Sequence, residues 1–225
     1  ALVAICVILW FFATGTGISV AGLAGLGLTA WIGGGVLMDI AQRTKITKGG
    51  FGGRVTSIPM PVWGMWCAHF GMVVFLAGAM ANGLFAAEAV VRAKKGDVIE
   101  LAGRRITFAG IEQRQGPNYI TSTAILEMRE NGRLISTMTP ENRLYTAQRQ
   151  TTTEAAIRPR LSGDDYAVLG DGDSEQGYTL RLYRKPLVSW IWGGAGLMVI
   201  GGMLAAVGRH RREPAKTVRT SKAVA

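Results

Sequence analysis

Apolar residues fall in long blocks, and the charged residues lie mostly between them. From Met60 to Ala87 no side chain is charged and one, His69, is a histidine. As a helix this stretch would run roughly 42 Å, more than enough to cross a bilayer. Ile18 to Ile40 and Pro186 to Val207 read as two further spans. Ala1 to Ala13 is apolar but too short to cross alone, and it reads as the end of a helix followed by a turn at Thr14-Gly15-Thr16-Gly17. The chain opens inside an apolar run with neither Met nor a basic leader, so we expect a piece of a longer or split protein rather than a signal peptide.

The pattern changes at residues 96–185. Val98–Leu101, Arg105–Gln113, Tyr119–Arg129, Leu134–Met138, Tyr166–Leu169 and Tyr178–Tyr183 are short, partly alternating runs separated by turn signals. Asn131-Gly132 between two of them predicts a two-residue hairpin, because both positions tolerate positive φ. Thr153–Ile157 reads as one possible helical turn. The fold class is an α-helical membrane protein with an inserted small all-β, barrel-like domain outside the cytoplasm. The expected segments are residues 1–42 (helix end plus first span), 43–57 (basic loop), 58–91 (span carrying His69), 92–185 (β domain), 186–208 (last span) and 209–225 (basic tail).

Charge orients these segments. The net charge of +10 is concentrated at two places. Arg43, Lys45, Lys48 and Arg54 form a loop without acids, and the tail from Arg209 holds six basic residues against one acid. Both flank spans, which is the positive-inside pattern, and not a nucleic-acid signal. The loop and tail are therefore expected in the cytoplasm and the β domain on the other side. Cys6 and Cys67 both lie in apolar runs, so no disulfide framework and no Cys-x-x-Cys is present.

An ionisable residue inside a span is a functional candidate by default. His69 can serve as an iron ligand through a neutral imidazole, or it can be a histidine bonded to a neighbouring helix; the residues alone leave both open. Met65 and Met72 stand four before and three after it, on its face, where they could line an apolar pocket or simply fill space. Cys67 points elsewhere and reads as a small buried hydrophobe. The glycines of the first span read as packing positions. Trp63, Trp66, Trp190 and Trp192 read as interfacial anchors. In the β domain, Arg143 and Glu154 read first as a structural pair and second as part of a docking surface that includes Tyr145, Asp165 and Tyr166. No catalytic triad, paired-carboxylate site or phosphate loop is evident.

Three motif groups carry a family resemblance. They are Gly116-Pro117-Asn118-Tyr119; Pro140-Glu141-Asn142-Arg143-Leu144-Tyr145 with Thr152-Thr153-Glu154-Ala155-Ala156-Ile157; and Asp165-Tyr166-Ala167-Val168-Leu169-Gly170 with Arg181-Leu182-Tyr183-Arg184-Lys185-Pro186-Leu187-Val188, Trp190-Ile191-Trp192 and Gly201-Gly202. In this order the chain resembles the C-terminal part of the CcmF/NrfE family, the haem lyase subunit of cytochrome c-type biogenesis. The resemblance implies a multi-span bacterial inner-membrane protein with its β domain in the periplasm. It implies attachment of haem to the Cys-x-x-Cys-His motif of apocytochrome c. It also implies a transmembrane haem b with two histidine ligands, of which His69 matches the second. That haem would keep the incoming haem or the apocytochrome thiols reduced. The other histidine here, His210, lies in the basic tail. The partner ligand and the tryptophan-rich haem-handling segment are therefore expected in the N-terminal part. The implied partners are that N-terminal part, the holo haem chaperone, apocytochrome c with its thiol-reducing carriers, and membrane lipid. The alternatives are a non-catalytic envelope scaffold whose β domain docks proteins, or a haem-b electron-transfer subunit.

Overall fold

The computed structural model of the chain describes Ile5 and residues 19–44 and 56–210. The expected helix end and turn at residues 1–17, most of the basic loop, and the tail beyond residue 210 lie outside these, as does Cys6. Two compact units emerge, a helical one (residues 1–77 and 191–225) and a β one (residues 78–190).

Three helices are long and apolar enough to cross a membrane: α1 (Val20–Thr44), α2 (Met60–Phe85) and α3 (Val188–His210). The Ser19 hydroxyl caps α1 by accepting from the Gly22 amide at 3.2 Å. The helix runs one turn past Ile40, the end expected from hydropathy. In that turn Arg43 pairs with Asp39 at 2.8 Å, one turn apart on the same face. Pro59 and Pro61 open α2, where a proline's missing donor costs nothing.

Within the helical unit α2 and α3 meet backbone to backbone. A Cβ on Gly71 would lie 2.7 Å from the Met198 amide nitrogen, and one on Gly201 2.3 Å from that of Ala68. Only small residues permit such an approach. The glycines of α1 are used differently. A Cβ on Gly33 would make only an ordinary contact with Val73, and one on Gly34 or Gly35 would meet open space.

The β unit holds ten strands: β1 (Ala87–Ala93), β2 (Val98–Leu101), β3 (Arg104–Gln115), β4 (Tyr119–Glu130), β5 (Arg133–Met138), β6 (Glu141–Tyr145), β7 (Gln150–Glu154), β8 (Ala156–Arg158), β9 (Asp164–Asp173) and β10 (Gly177–Lys185). They form two antiparallel sheets, one ordered β1-β10-β9-β8 and the other β2-β3-β4-β6-β7 with β5 also on β4. Alternate residues of both sheets meet in one core: Ile106, Phe108, Ala124, Leu126 and Met128 from one side, Ala167, Leu169, Leu180 and Leu182 from the other. The hairpin turn between β4 and β5 has φ of 49° at Asn131 and 78° at Gly132, as its sequence predicts.

Two expectations are corrected. The span placed at residues 58–91 ends as a helix at Phe85, and β1 begins at Ala87; its small alanines hide the alternation of Glu88, Val90 and Arg92 outward. Thr153–Ile157 is no helical turn, because it closes β7 and opens β8. β6 and β7 also escaped the hydrophobic pattern, since both faces carry polar residues.

A buried ion cluster sits at one end of the sandwich. Arg104 and Asp165 pair directly, both almost fully buried, and Arg184 Nη1 reaches the same carboxylate oxygen at 3.1 Å. Glu130 approaches Arg104 from the surface at 3.5 Å.

Candidate functional site

The helix geometry of α2 places His69 one turn beyond Met65, and His69 Nδ1 lies 2.8 Å from the Met65 carbonyl oxygen. A carbonyl can only accept, so Nδ1 carries the proton. In the neutral ring the lone pair is then on Nε2, the nitrogen directed away from the helix backbone. The side chain is exposed, and among the described residues no other helix takes that lone pair.

His69 faces a cavity of about 400 Å³ between α1 and α2. Leu28, Trp31, Ile32, Val36 and Met65 make its apolar wall, and Asp39, Arg43 and Trp66 close its other end. The closure is fixed by hydrogen bonds: the Trp66 indole N–H donates to Asp39 Oδ2 at 2.7 Å, and Arg43 Nε donates to the same carboxylate. Trp66 is buried, and Trp63 packs on it edge-to-face at 5.2 Å. Trp66 is thus a helix-to-helix link rather than the interfacial anchor expected for it. The pairing had one legible signal, an aspartate inside an apolar span.

Of the expected site residues, Met65 lines the cavity with His69. Met72 lies on α2 outside that lining, with its side chain exposed. Cys67 points to a different face and its thiol lies 3.5 Å from the Leu197 carbonyl. His210 is the last residue of α3, and its side chain is outside the described set. Among the described residues no three His, Cys, Asp or Glu side chains converge as a metal cluster. What the site offers is one ring nitrogen beside an apolar wall.

The first two motif groups meet around β4, β6 and β7, and the third lies on β9 and β10. Tyr119 pairs with Tyr145, Thr121 with Arg143 and Arg143 with Thr152 across the strands. Arg143 Nε donates to Glu141 at 2.9 Å, and its guanidinium lies 5.0 Å over the Tyr119 ring. Glu154 is farther, at 3.7 Å from Arg143. The expected Arg143–Glu154 ion pair is present, and Glu141, which the sequence pattern did not single out as a partner, is the closer of the two carboxylates. The hydrogen bond from Arg143 to Glu141 holds the guanidinium above its ordinary pKa. The charges of this cluster satisfy one another, which is what a structural role requires. Asp165 belongs to the buried cluster with Arg104 and Arg184. Burial and the nearby Asp164 carboxylate raise the Tyr166 phenol above its usual value, with Lys185 Nζ 4.7 Å over the ring.

Comparison with known proteins follows the same division. The family model described as the CcmF C-terminal beta-sandwich matches residues 84–186. The cytochrome c-type biogenesis protein ccl1 of Rhodobacter capsulatus is 39% identical over 98% of this chain and 33% of its own length. The cytochrome c-type biogenesis proteins CcmF of Pseudomonas aeruginosa and Escherichia coli are 36% and 32% identical over 84% and 86% of the chain. Each is matched over 29% of its own length, so the chain spans about a third of the length of these relatives. The solved structure of a protein described as cytochrome c heme lyase CcmF shares the fold, with a TM-score of 0.66 over 91% of this chain and 33% of that one, at 18% identity.

Proposed function

The chain belongs to the CcmF/NrfE family of cytochrome c-type biogenesis proteins, corresponding to its C-terminal part, and we propose that it is a module of a haem lyase subunit in which His69 supplies one axial ligand to a haem b. The observation that carries this reading is the ring geometry. Nδ1–H is held by the Met65 carbonyl, so in the neutral ring the lone pair is on Nε2, aimed off the helix. A hydrogen bond on the far nitrogen is also what orients a metal-binding imidazole and makes it a stronger donor. A bound haem would supply one-electron chemistry at this point in the membrane. Met65 and the α1 wall would exclude water beside it, and the Trp66–Asp39 bond would hold α1 at its distance from α2.

In this reading the β unit stands on the periplasmic side of the inner membrane, where the holo haem chaperone delivers haem and apocytochrome c receives it. The N-terminal part of the subunit provides the second ligand and the haem-handling segment. The test uses this chain together with that N-terminal part. The visible spectrum of the purified protein should lose its haem signal in His69→Ala and regain it with added imidazole. A haem signal unchanged in His69→Ala would sink the ligand assignment. Continued cytochrome c maturation by a variant that has lost its haem would instead sink the lyase role.

A further inference from the structure

The loop joining β8 to β9 is held rigidly, yet it displays a bare hydrophobe. Leu161 is 82% exposed. Its backbone is anything but loose. The Trp190 indole donates to the Leu161 carbonyl at 3.0 Å, and the Ser189 hydroxyl donates to that of Arg160 at 3.1 Å. Arg184 donates to the carbonyls of Ser162 and Gly163 from the opposite side. Gly163 adopts φ of +123°, and a Cβ there would lie 2.5 Å from Pro186 Cα, so the loop presses on the junction that leads into α3.

A single exposed leucine is ordinary on a soluble surface. Here its level is fixed. Ser189 and Trp190 are in the first turn of α3, a helix long and apolar enough to cross a membrane. Their hydrogen bonds hold the loop against the first turn of that helix. Trp190 itself is part-exposed there, as residues at that depth often are. Arg160 is exposed beside Leu161, and no acidic side chain pairs it among the described residues. A cation flanking an apolar tip is the pattern of segments that lie in a membrane interface.

We infer that residues 159–163 are a bilayer-docking loop, with Leu161 entering the acyl boundary and Arg160 on the phosphates of an anionic phospholipid. This rests on α3 as a span and is independent of the haem reading. In the full chain with Cys6→Ala and Cys67→Ala, a single cysteine is placed at Leu161→Cys or at Ser174→Cys and labelled with a polarity-sensitive fluorophore. Ser174 lies in the turn at the far end of β9 and β10, about 30 Å along the strands. The protein is reconstituted into vesicles of phosphatidylcholine with or without phosphatidylglycerol, carrying a quencher on the lipid chains.

The label at position 161 should shift to the blue and be quenched from the lipid, and the label at position 174 should do neither. Phosphatidylglycerol should deepen the quenching at position 161. Arg160→Gln should weaken that lipid preference about fivefold, the contribution of one cation at an anionic surface. A label at position 161 as wet as that at position 174 overturns docking, and is the result expected if the loop instead meets another protein. Quenching at position 161 that ignores both phosphatidylglycerol and Arg160→Gln overturns the phosphate contact.

Discussion

The β unit and the helical unit solve burial in opposite ways. In the β unit Phe108, Leu126, Leu169 and Leu180 are all but fully buried, and its buried charges meet partners inside the same sandwich. In the helices the most apolar windows are only 17%, 22% and 17% buried. Trp31, Phe70 and Val199 point outward, as does His69. Lipid can cover the apolar groups at no cost, but it offers nothing to an imidazole. The β unit is thus complete in itself. The helices instead leave their apolar side chains to lipid and one imidazole nitrogen without a partner among the described residues, which is where the proposed reading puts the N-terminal part of the subunit.

The largest test of that contrast is Asp165→Ala. It strands Arg104 in the sandwich without its carboxylate, and removing one partner of a buried pair costs about 3–5 kcal/mol. Denaturant unfolding should show that loss in the β signal while helical circular dichroism holds. Helices that melt together with the sheet would show that the units are not independent. The reciprocal change is Gly71→Leu. Its side chain would enter the Met198 backbone, and overpacking of this kind costs about 1–3 kcal/mol. Detergent titration should disrupt the helices earlier, with amide protection in the β unit unchanged.

Smaller effects sharpen the picture of the β unit. Tyr166 has its pKa raised above 10.0 by burial and by Asp164. A raised folded pKa contributes stability that is complete below the unfolded value and is lost as pH climbs through the folded one. The midpoint of β unfolding should therefore fall above about pH 10, and Tyr166→Phe should flatten that decline. Least of all, Glu100→Gln should move the midpoint by less than about 0.5 kcal/mol, because its pair with Arg105 is solvent-exposed on both sides. A larger shift would mean that this end of the sheet is not free.

Hydropathy and alternation made the spans and six of the strands legible, since each buries a continuous or alternating apolar face. β6 and β7 were not, because their stability comes from β4 on one side and from Arg143, Glu141 and the two tyrosines, a polar pattern without periodicity. His69 stood out as the one ionisable residue in its span. Its proton arrangement did not, since that depends on a carbonyl one turn back. Asp39 was countable as a charge, but its bond to Trp66 joins residues on different helices, which no local spacing announces.

One pairing also sets a clock. β1 has β10 as its neighbour, with Ala87 opposite Arg184, so the first strand made is finished by the last. At typical synthesis rates almost a hundred intervening residues take roughly 5–20 s to appear. Throughout that interval β1 is an open template, and it is short, with Glu88 and Arg92 on its outer positions. Those outward charges guard it from pairing with the wrong chain while its partner is still being made.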